Sequence, residues 1–150
     1  LSSAASDVYK RQLLRTEETG KMASKTSKYA AVRTKLVALQ RGLAKKTDVI
    51  MDGRDIGTTV LPDAFAKIYL TASSDARAKR RYDELKEKGE NCSFDAIKED
   101  IEKRDYEDMH RAISPLKQAD DAVLVDTSDM NIEQVVAALS KIIDEKKAGR

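Results

Sequence analysis

Short apolar runs alternate along this chain with longer segments of helical periodicity, and this order limits the folds available to it. Runs of strand length cover residues 48–52, 66–71 and 122–126. Because a parallel pair of strands needs a crossover connection, usually a helix, the order predicts a parallel sheet flanked by helices. The near-continuous apolar character of the runs predicts burial on both faces of the sheet. The expected fold class is therefore α/β.

Four helices are predicted from apolar periodicity and from residues that can cap helix ends. Ser73 or Ser74 can cap the second of them, and Ser93 can cap the third. Asn131, with Gln134 three residues later, has the spacing of a capping box at the start of the fourth. The predicted helices cover residues 27–46, 74–89, 94–111 and 132–146.

The charge balance and the cysteine content restrict the class of protein. With 28 basic and 26 acidic residues, the net charge of +2 is too even to indicate general binding to nucleic acid or membranes. A single cysteine excludes an internal disulfide framework and is typical of a reducing cytosol. The sequence has neither an apolar run of about 18 residues nor a secretory signal pattern. We therefore expect a cytoplasmic protein that does not associate with membranes.

The first twelve residues differ in character from the rest of the chain. They carry no sustained helical or strand pattern, and they resemble the adaptor-like tails found on translated sequence fragments. We expect residues 1–12 to be a non-native tail, the alternative being a short flexible native terminus. Because the sequence does not begin with Met, we also expect a fragment of a longer protein.

The apolar run at residues 48–52 ends in a cluster of mixed charge, where Arg54 lies between Asp52 and Asp55. Glycines flank this cluster and permit a tight turn. Ligands of open α/β sheets bind beyond the carboxyl ends of the strands, so a binding site is expected here. Asp52 could support Mg²⁺ through water or could stabilise the turn.

Charged side chains continue the apolar stripe of the helix predicted at residues 94–111. Arg104, Asp108 and Arg111 follow Ile101 at spacings of three and four residues, on the same helix face. Charges on an inward face need partners or a polar ligand, and two arginines beside a carboxylate suit an anionic ligand with hydroxyl groups. The alternative is a ladder of ion pairs on a solvated face.

A second set of arginines shares one face of the helix predicted at residues 74–89. Arg77, Arg80 and Arg81 carry planar guanidinium groups that match the oxygens of phosphate. The alternative is a solubilising face paired with acidic residues of the same helix.

Seven segments together resemble the C-terminal part of bacterial cytidylate kinases, the CMP/dCMP kinase family. They are LRTEE (14–18), ASKTSKYAAVR (23–33), DGRDIGT (52–58), PDAFAKIYLTAS (62–73), RAKRRYDELKEKG (77–89), KRDYEDMHRAISPL (103–116) and ADDAVLVDTSDMNIEQVV (119–136). The combination of DGRD-I-GT, PDA and RD-x-x-D-x-x-R is specific, whereas each motif alone is weak. The resemblance covers residues 13–150.

This resemblance implies the fold of a P-loop nucleoside monophosphate kinase, which is a parallel sheet with a substrate insert and a mobile lid. The lid would lie roughly at residues 77–93. The implied reaction transfers a phosphoryl group from ATP to CMP or dCMP and gives CDP or dCDP, with Mg²⁺ as cofactor. We expect a monomer whose partners are these nucleotides and that does not bind nucleic acid.

The resemblance also implies roles for residues at matching positions. The lid arginines that close on the phosphates of ATP match Arg77, Arg80 and Arg81. The substrate positions match Ser24, Arg33 and Asp55 for the cytosine, Arg54 and Arg111 for the phosphate of CMP, and Arg104 and Asp108 near the ribose and phosphate.

The phosphate-binding loop of this family, G-x-x-x-x-G-K-[ST], does not occur in the sequence. We therefore expect residues 13–150 to be a partial cytidylate kinase domain, truncated at its N terminus. Without the backbone N–H groups and the Lys of that loop, ATP has no proper cradle, so we expect the chain alone to be inactive.

Two other functions stay open from the residues alone. One is another small P-loop kinase that acts on a different nucleotide. The other is a basic binding module without enzymatic activity, which uses its arginines on nucleic acid. The near-neutral charge, together with two Phe and no Trp for stacking on bases, argues against this module.

Overall fold

The computed structural model describes residues 17–26 and 29–149 of the chain. The chain divides into two compact units, Leu1–Val49 and Ile50–Arg150. Among the residues described, no helix is both long enough and apolar enough to cross a membrane.

Two helices form the described part of the first unit. α1 covers Glu17–Thr26 and α2 covers Ala30–Ala44. α2 corresponds to the helix predicted at residues 27–46, although the start of that prediction falls partly outside the described residues. The apolar stripe of α2 is exposed, since Leu39 has 58% of its surface accessible. The periodicity thus predicted the helix correctly, but its apolar side is not buried.

The second unit alternates helices and strands, as the sequence predicted. Its elements in chain order are a short π-helix over Ile56–Val60, β1 over Ile68–Thr71, α3 over Ser74–Glu87, α4 over Phe94–His110, β2 over Val123–Asp126 and α5 over Ile132–Ala148. The π-helix had no counterpart among the predictions.

The two strands pair in parallel, which confirms the predicted type of sheet. The register places Ile68 opposite Val123 and Thr71 opposite Asp126. The prediction that both faces of the sheet are buried was wrong, because Leu70 is 53% exposed even though Val125 is buried. In the described part of the chain, two strands and their helices leave one side of Leu70 uncovered.

The predicted strand at residues 48–52 does not form. This segment is irregular, and Ile50 is 99% exposed. Apolar character does not hold a short strand in place, because its backbone needs a neighbouring ladder of hydrogen bonds. Within the described residues, β1 and β2 pair only with each other, so residues 48–52 lack such a neighbour.

α3 begins and ends at the signals that the sequence carries. The hydroxyl of Ser73 accepts a hydrogen bond from the N–H of Ala76 at 3.1 Å. At the other end, the N–H of Gly89 donates to Lys86 and the N–H of Glu90 donates to Leu85. Gly89 has φ of +75°, a left-handed conformation that glycine adopts without steric cost. α3 therefore ends where the chain can reverse towards α4.

α4 packs against α3 and brings its inward face to the centre of the unit. The rings of Tyr82 and Phe94 meet edge to face, with centroids 6.2 Å apart. Ala78 of α3 is completely buried. α4 ends at His110, so Arg111 is its C-cap and has extended backbone angles.

α5 starts with the predicted capping box. The side chain of Asn131 accepts from the N–H of Gln134, and the side chain of Gln134 accepts from the N–H of Asn131, both at 2.9 Å. The box satisfies two N–H groups that have no partner within the helix.

We expect Asn131→Ala to lower the free energy of unfolding by about 1 kcal/mol, because the N-terminal N–H groups of α5 lose an acceptor. Urea denaturation followed by circular dichroism measures this change. Asn131→Asp keeps the acceptor oxygen and should stay close to the unsubstituted chain. Equal stabilities for the Ala variant and the unsubstituted chain would contradict a stabilising box.

Candidate nucleotide site

The second unit contains a cavity of about 480 Å³ beside β1. Its walls come from residues 68–72, from residues of the 51–58 segment, and from side chains of α3 and α4. Arg54, Arg77 and Arg80 all line it. Three arginines thus border one concave surface, a composition that suits a ligand with phosphate groups.

Arg77 is held by two elements at once. Its Nε donates to the carbonyl of Ala72 at 3.0 Å, immediately after β1. Its two terminal nitrogens donate to the two carboxylate oxygens of Asp105 in α4, at 3.0 and 2.6 Å. The hydrogen bonds that Arg77 donates to Asp105 raise the pKa of Arg77 above its ordinary value, against the opposing effect of burial. Arg77 is therefore a fixed cation at the cavity wall.

Arg80 binds the chain that follows β2. It donates to the carbonyl of Thr127, to the hydroxyl of Thr127 at 3.4 Å and to the carbonyl of Met130 at 3.3 Å. Thr127 is 4% exposed, and its hydroxyl donates to the carbonyl of Thr71 at 2.9 Å. Arg80 thus connects α3 to the ends of both strands.

The turn after β2 is organised by a carboxylate. Asp126 accepts hydrogen bonds from the N–H and from the hydroxyl of Ser128, and these bonds lower the pKa of Asp126. The hydroxyl of Ser128 also accepts from the N–H of Ser73, the residue that caps α3. The loop after β2 and the start of α3 are therefore linked at the carboxyl end of the sheet.

Arg81 is not part of the cavity wall. It forms an ion pair with Glu84 of the same helix, at 2.9 Å. This contact is the helix-surface pairing that the sequence left open as an alternative. The three arginines of α3 therefore divide, with Arg77 and Arg80 at the cavity and Arg81 beside Glu84.

Asp108 joins the segment after residue 52 to α4. It is 8% exposed, and its carboxylate accepts from Nε of Arg54 at 3.0 Å. The guanidinium of Arg111 lies 3.8 Å from the other oxygen of Asp108. Arg54, Asp108 and Arg111 thus form one charged cluster.

Ser114 supports the position of Arg111. Its carbonyl accepts from Nε of Arg111 at 2.5 Å, and its hydroxyl accepts from the hydroxyl of Thr59 at 3.5 Å. Ser114 has φ of +48°, which is uncommon for a residue other than glycine and often occurs at functional sites. The sequence carries no signal for this conformation.

Two carboxylates flank Arg54 differently. Asp55 is 9% exposed, and its backbone carbonyl accepts from the N–H groups of Thr59 and Val60 at 2.8 and 3.2 Å, which starts the π-helix. Asp52 is exposed and lines the cavity. The carboxylate that binds Arg54 is neither of these two but Asp108 of α4.

Arg104 does not continue the inward stripe of α4 as predicted. It is exposed, whereas Asp105 is partly buried and binds Arg77. Residues 104 and 105 lie at spacings of three and four from Ile101, and both spacings return to nearly the same helix face. The periodicity was therefore compatible with either Arg104 or Asp105 on the inward face, and in the structure Asp105 is the residue that faces inward.

The positions matched to cytosine lie in both units. Ser24 belongs to α1, and its side chain lies outside the described residues. Arg33 belongs to α2 and is partly buried, while Asp55 belongs to the second unit. A joint role of these three residues stays a prediction.

The described residues contain no group of three or more His, Cys, Asp or Glu side chains placed to hold a metal ion. Proteins usually bind Mg²⁺ with one or two carboxylates, and water and substrate phosphates complete the coordination. The single exposed carboxylate of Asp52 at the cavity fits such a limited role.

We expect Asp108→Ala to lower the free energy of unfolding by about 2 kcal/mol, because Arg54 and Arg111 lose their shared carboxylate. Chemical denaturation measures the difference. Asp100→Ala, an exposed change of the same type in the same helix, should stay within about 0.5 kcal/mol of the unsubstituted chain. Equal effects of the two substitutions would show that the cluster does not stabilise the unit.

Comparisons with known proteins agree on one family. A model of the family described as "Cytidylate kinase" matches residues 4–145. A cytidylate kinase of Lactobacillus johnsonii is 53% identical over 134 residues, which cover 89% of this chain and 58% of that protein. A cytidylate kinase of Thermosipho melanesiensis is 48% identical over 133 residues, covering 89% of this chain and 61% of that protein.

A third cytidylate kinase, from Bacteroides thetaiotaomicron, is 48% identical over 128 residues, covering 85% of this chain and 56% of that protein. The chain thus spans about three-fifths of the length of these curated relatives. The family model covers nearly all of the chain. The chain therefore belongs to the cytidylate kinase family.

Proposed function

We propose that this chain is part of a nucleoside monophosphate kinase that transfers a phosphoryl group from ATP to CMP or dCMP. The observation that carries the proposal is the cavity bordered by Arg54, Arg77 and Arg80 in a member of the cytidylate kinase family. Phosphoryl transfer requires mainly that the reactants be positioned and that cations surround the phosphoryl group that moves. Arg54 and Arg77, which are held by carboxylates, and Arg80, which is held by backbone carbonyls, would supply both.

The acceptor phosphate is assigned to the cluster around Asp108. Arg54 and Arg111 would bind the phosphate of CMP, and Asp108 would orient them and contact the ribose. Arg104, exposed beside this cluster, would approach the nucleotide from solvent. A guanidinium group binds phosphate through two parallel N–H donors, so a carboxylate that holds its plane also fixes the angle of approach.

The donor phosphates are assigned to the arginines of α3. Arg77 and Arg80 line the cavity, while Arg81 would join them when a lid at roughly residues 77–93 closes. Closure would exclude water and strengthen each of these charge interactions. Arg81 would then exchange Glu84 for a phosphate oxygen.

The base is assigned to Ser24, Arg33 and Asp55. A hydroxyl, a guanidinium and a carboxylate together offer the donors and acceptors that the amide-like edge of cytosine requires. Asp52 would hold Mg²⁺ through water, and the ion would supply positive charge that neutralises charge developing on the phosphates.

The complete catalytic domain is proposed to need a phosphate-binding loop that these 150 residues do not contain. Residues 13–150 would be the part of the domain that follows the phosphate-binding loop, and residues 1–12 would be a non-native tail. The basis for a partial domain is the lack of a G-x-x-x-x-G-K-[ST] motif in the 150 residues.

The complete kinase is proposed to be a cytoplasmic monomer.

An assay of CDP formation with ATP and Mg²⁺ tests the proposed reaction. We expect no CDP from the purified chain of 150 residues. A version extended upstream by the segment that carries the phosphate-binding loop in the family should phosphorylate CMP and dCMP in preference to UMP, AMP and GMP.

Preference of the extended version for another nucleotide would indicate a different small kinase. Affinity for DNA or RNA that falls steeply with salt, with no response to CMP, would indicate a nucleic-acid-binding module instead. A clear rate of CDP formation by the purified chain alone would overturn the requirement for the loop.

Arg54→Ala in the extended version should raise KM for CMP roughly 10-fold to 100-fold and change KM for ATP by less than about twofold, since Arg54 is assigned to the acceptor alone. Steady-state kinetics with each substrate varied in turn measures both constants. Arg54→Lys keeps the charge without the planar fork and should give an intermediate KM for CMP. Equal increases for both substrates would make Arg54 a structural residue.

A further inference from the structure

Asp105 binds Arg77 through both of its carboxylate oxygens, although the sequence indicated no role for it. We infer that Asp105 is a positioning residue, which fixes the guanidinium of Arg77 at the cavity wall so that its remaining N–H groups bind a phosphate of the nucleoside triphosphate. This inference rests on the proposed function, because it takes the cavity to be a phosphate site.

The hydrogen bonds of Arg77 leave a defined part of its guanidinium group available. A guanidinium has five N–H groups, and three of them donate to Ala72 and Asp105. The other two, one on each terminal nitrogen, have no acceptor among the residues that the structure describes. Arg77 therefore keeps one donor on each terminal nitrogen while three bonds hold its plane.

The location of this pair supports a role at the cavity. Arg77 and Asp105 both line it, and both side chains are mostly shielded from solvent, at 37% and 25% exposed. Arg81 provides the contrast, because its carboxylate partner, Glu84, belongs to the same helix and lies outside the cavity wall. Asp105 comes from α4, so it couples the position of Arg77 to the packing of two helices.

A carboxylate beside Arg77 has two opposing effects on the binding of an anion. Asp105 compensates the charge of Arg77 and so reduces attraction for a distant anion. It also removes the freedom of a long side chain, which would otherwise have to be ordered when the ligand binds. If positioning is the larger effect, removal of Asp105 weakens phosphate binding even though the cavity becomes more positive.

Substitutions of Asp105 in the extended kinase separate these effects. We expect Asp105→Ala to lower kcat/KM for ATP roughly 10-fold to 100-fold, because Arg77 loses its fixed orientation. KM for CMP should change by less than about twofold. Asp105→Asn keeps one acceptor oxygen and should recover part of the loss. Asp100→Ala, an exposed change in the same helix, should leave all constants unaltered.

Unchanged or higher kcat/KM for ATP in Asp105→Ala would overturn the inference, since charge compensation would then outweigh positioning. Equal losses for ATP and CMP, with no recovery in Asp105→Asn, would make Asp105 a residue of general structural importance and would also overturn it.

A second measurement decides the inference even if the extended protein forms no CDP, a result that would refute the proposed function alone. The Nε–H signal of Arg77 in ¹⁵N NMR spectra of the chain should shift on addition of inorganic tripolyphosphate. It should broaden and lose this response in Asp105→Ala. No response in the unsubstituted chain, or the same response in the variant, would contradict positioning by Asp105.

Discussion

The second unit depends on how α3 and α4 compensate the charges that they turn inward. Buried or partly buried charges are tolerated when each has a partner with good geometry. Asp105 meets this condition for Arg77, and Asp108 meets it for Arg54, while Arg111 lies 3.8 Å from Asp108 and donates to the carbonyl of Ser114. The packing of α3 against α4 brings Arg77 and Asp105 together. Loss of that packing would remove the partners and the cavity wall together.

The same contacts stabilise the fold and prepare the proposed site. The carboxylates that hold Arg54 and Arg77 also fix the directions in which the remaining N–H groups can donate, so the proposed phosphate binding would need little reorganisation. Arg80 extends this arrangement to the carboxyl ends of both strands through Thr127. Sheet, helices and cavity are therefore connected by a continuous set of hydrogen bonds and ion pairs.

Much of the local structure could be predicted from the sequence, because caps and periodicity act over three or four residues. The N-cap of α3 at Ser73 and the capping box of α5 at Asn131 are examples. Whether residues 48–52 form a strand could not be predicted from local sequence, since a strand depends on a pairing partner that is distant in the sequence. Periodicity also could not choose between Arg104 and Asp105, because that choice depends on where Arg77 of another helix lies.

The cluster of Arg54, Asp108 and Arg111 is proposed to bind the phosphate of a cytidine nucleotide. Calorimetric titration of the extended protein with CMP and with cytidine, which lacks the phosphate, tests this most directly. We expect CMP to bind at least about tenfold more tightly than cytidine, a difference of roughly 1.4 kcal/mol, and Arg54→Ala to remove most of this difference. Equal affinities for CMP and cytidine in the unsubstituted protein would show that the cluster does not bind the phosphate.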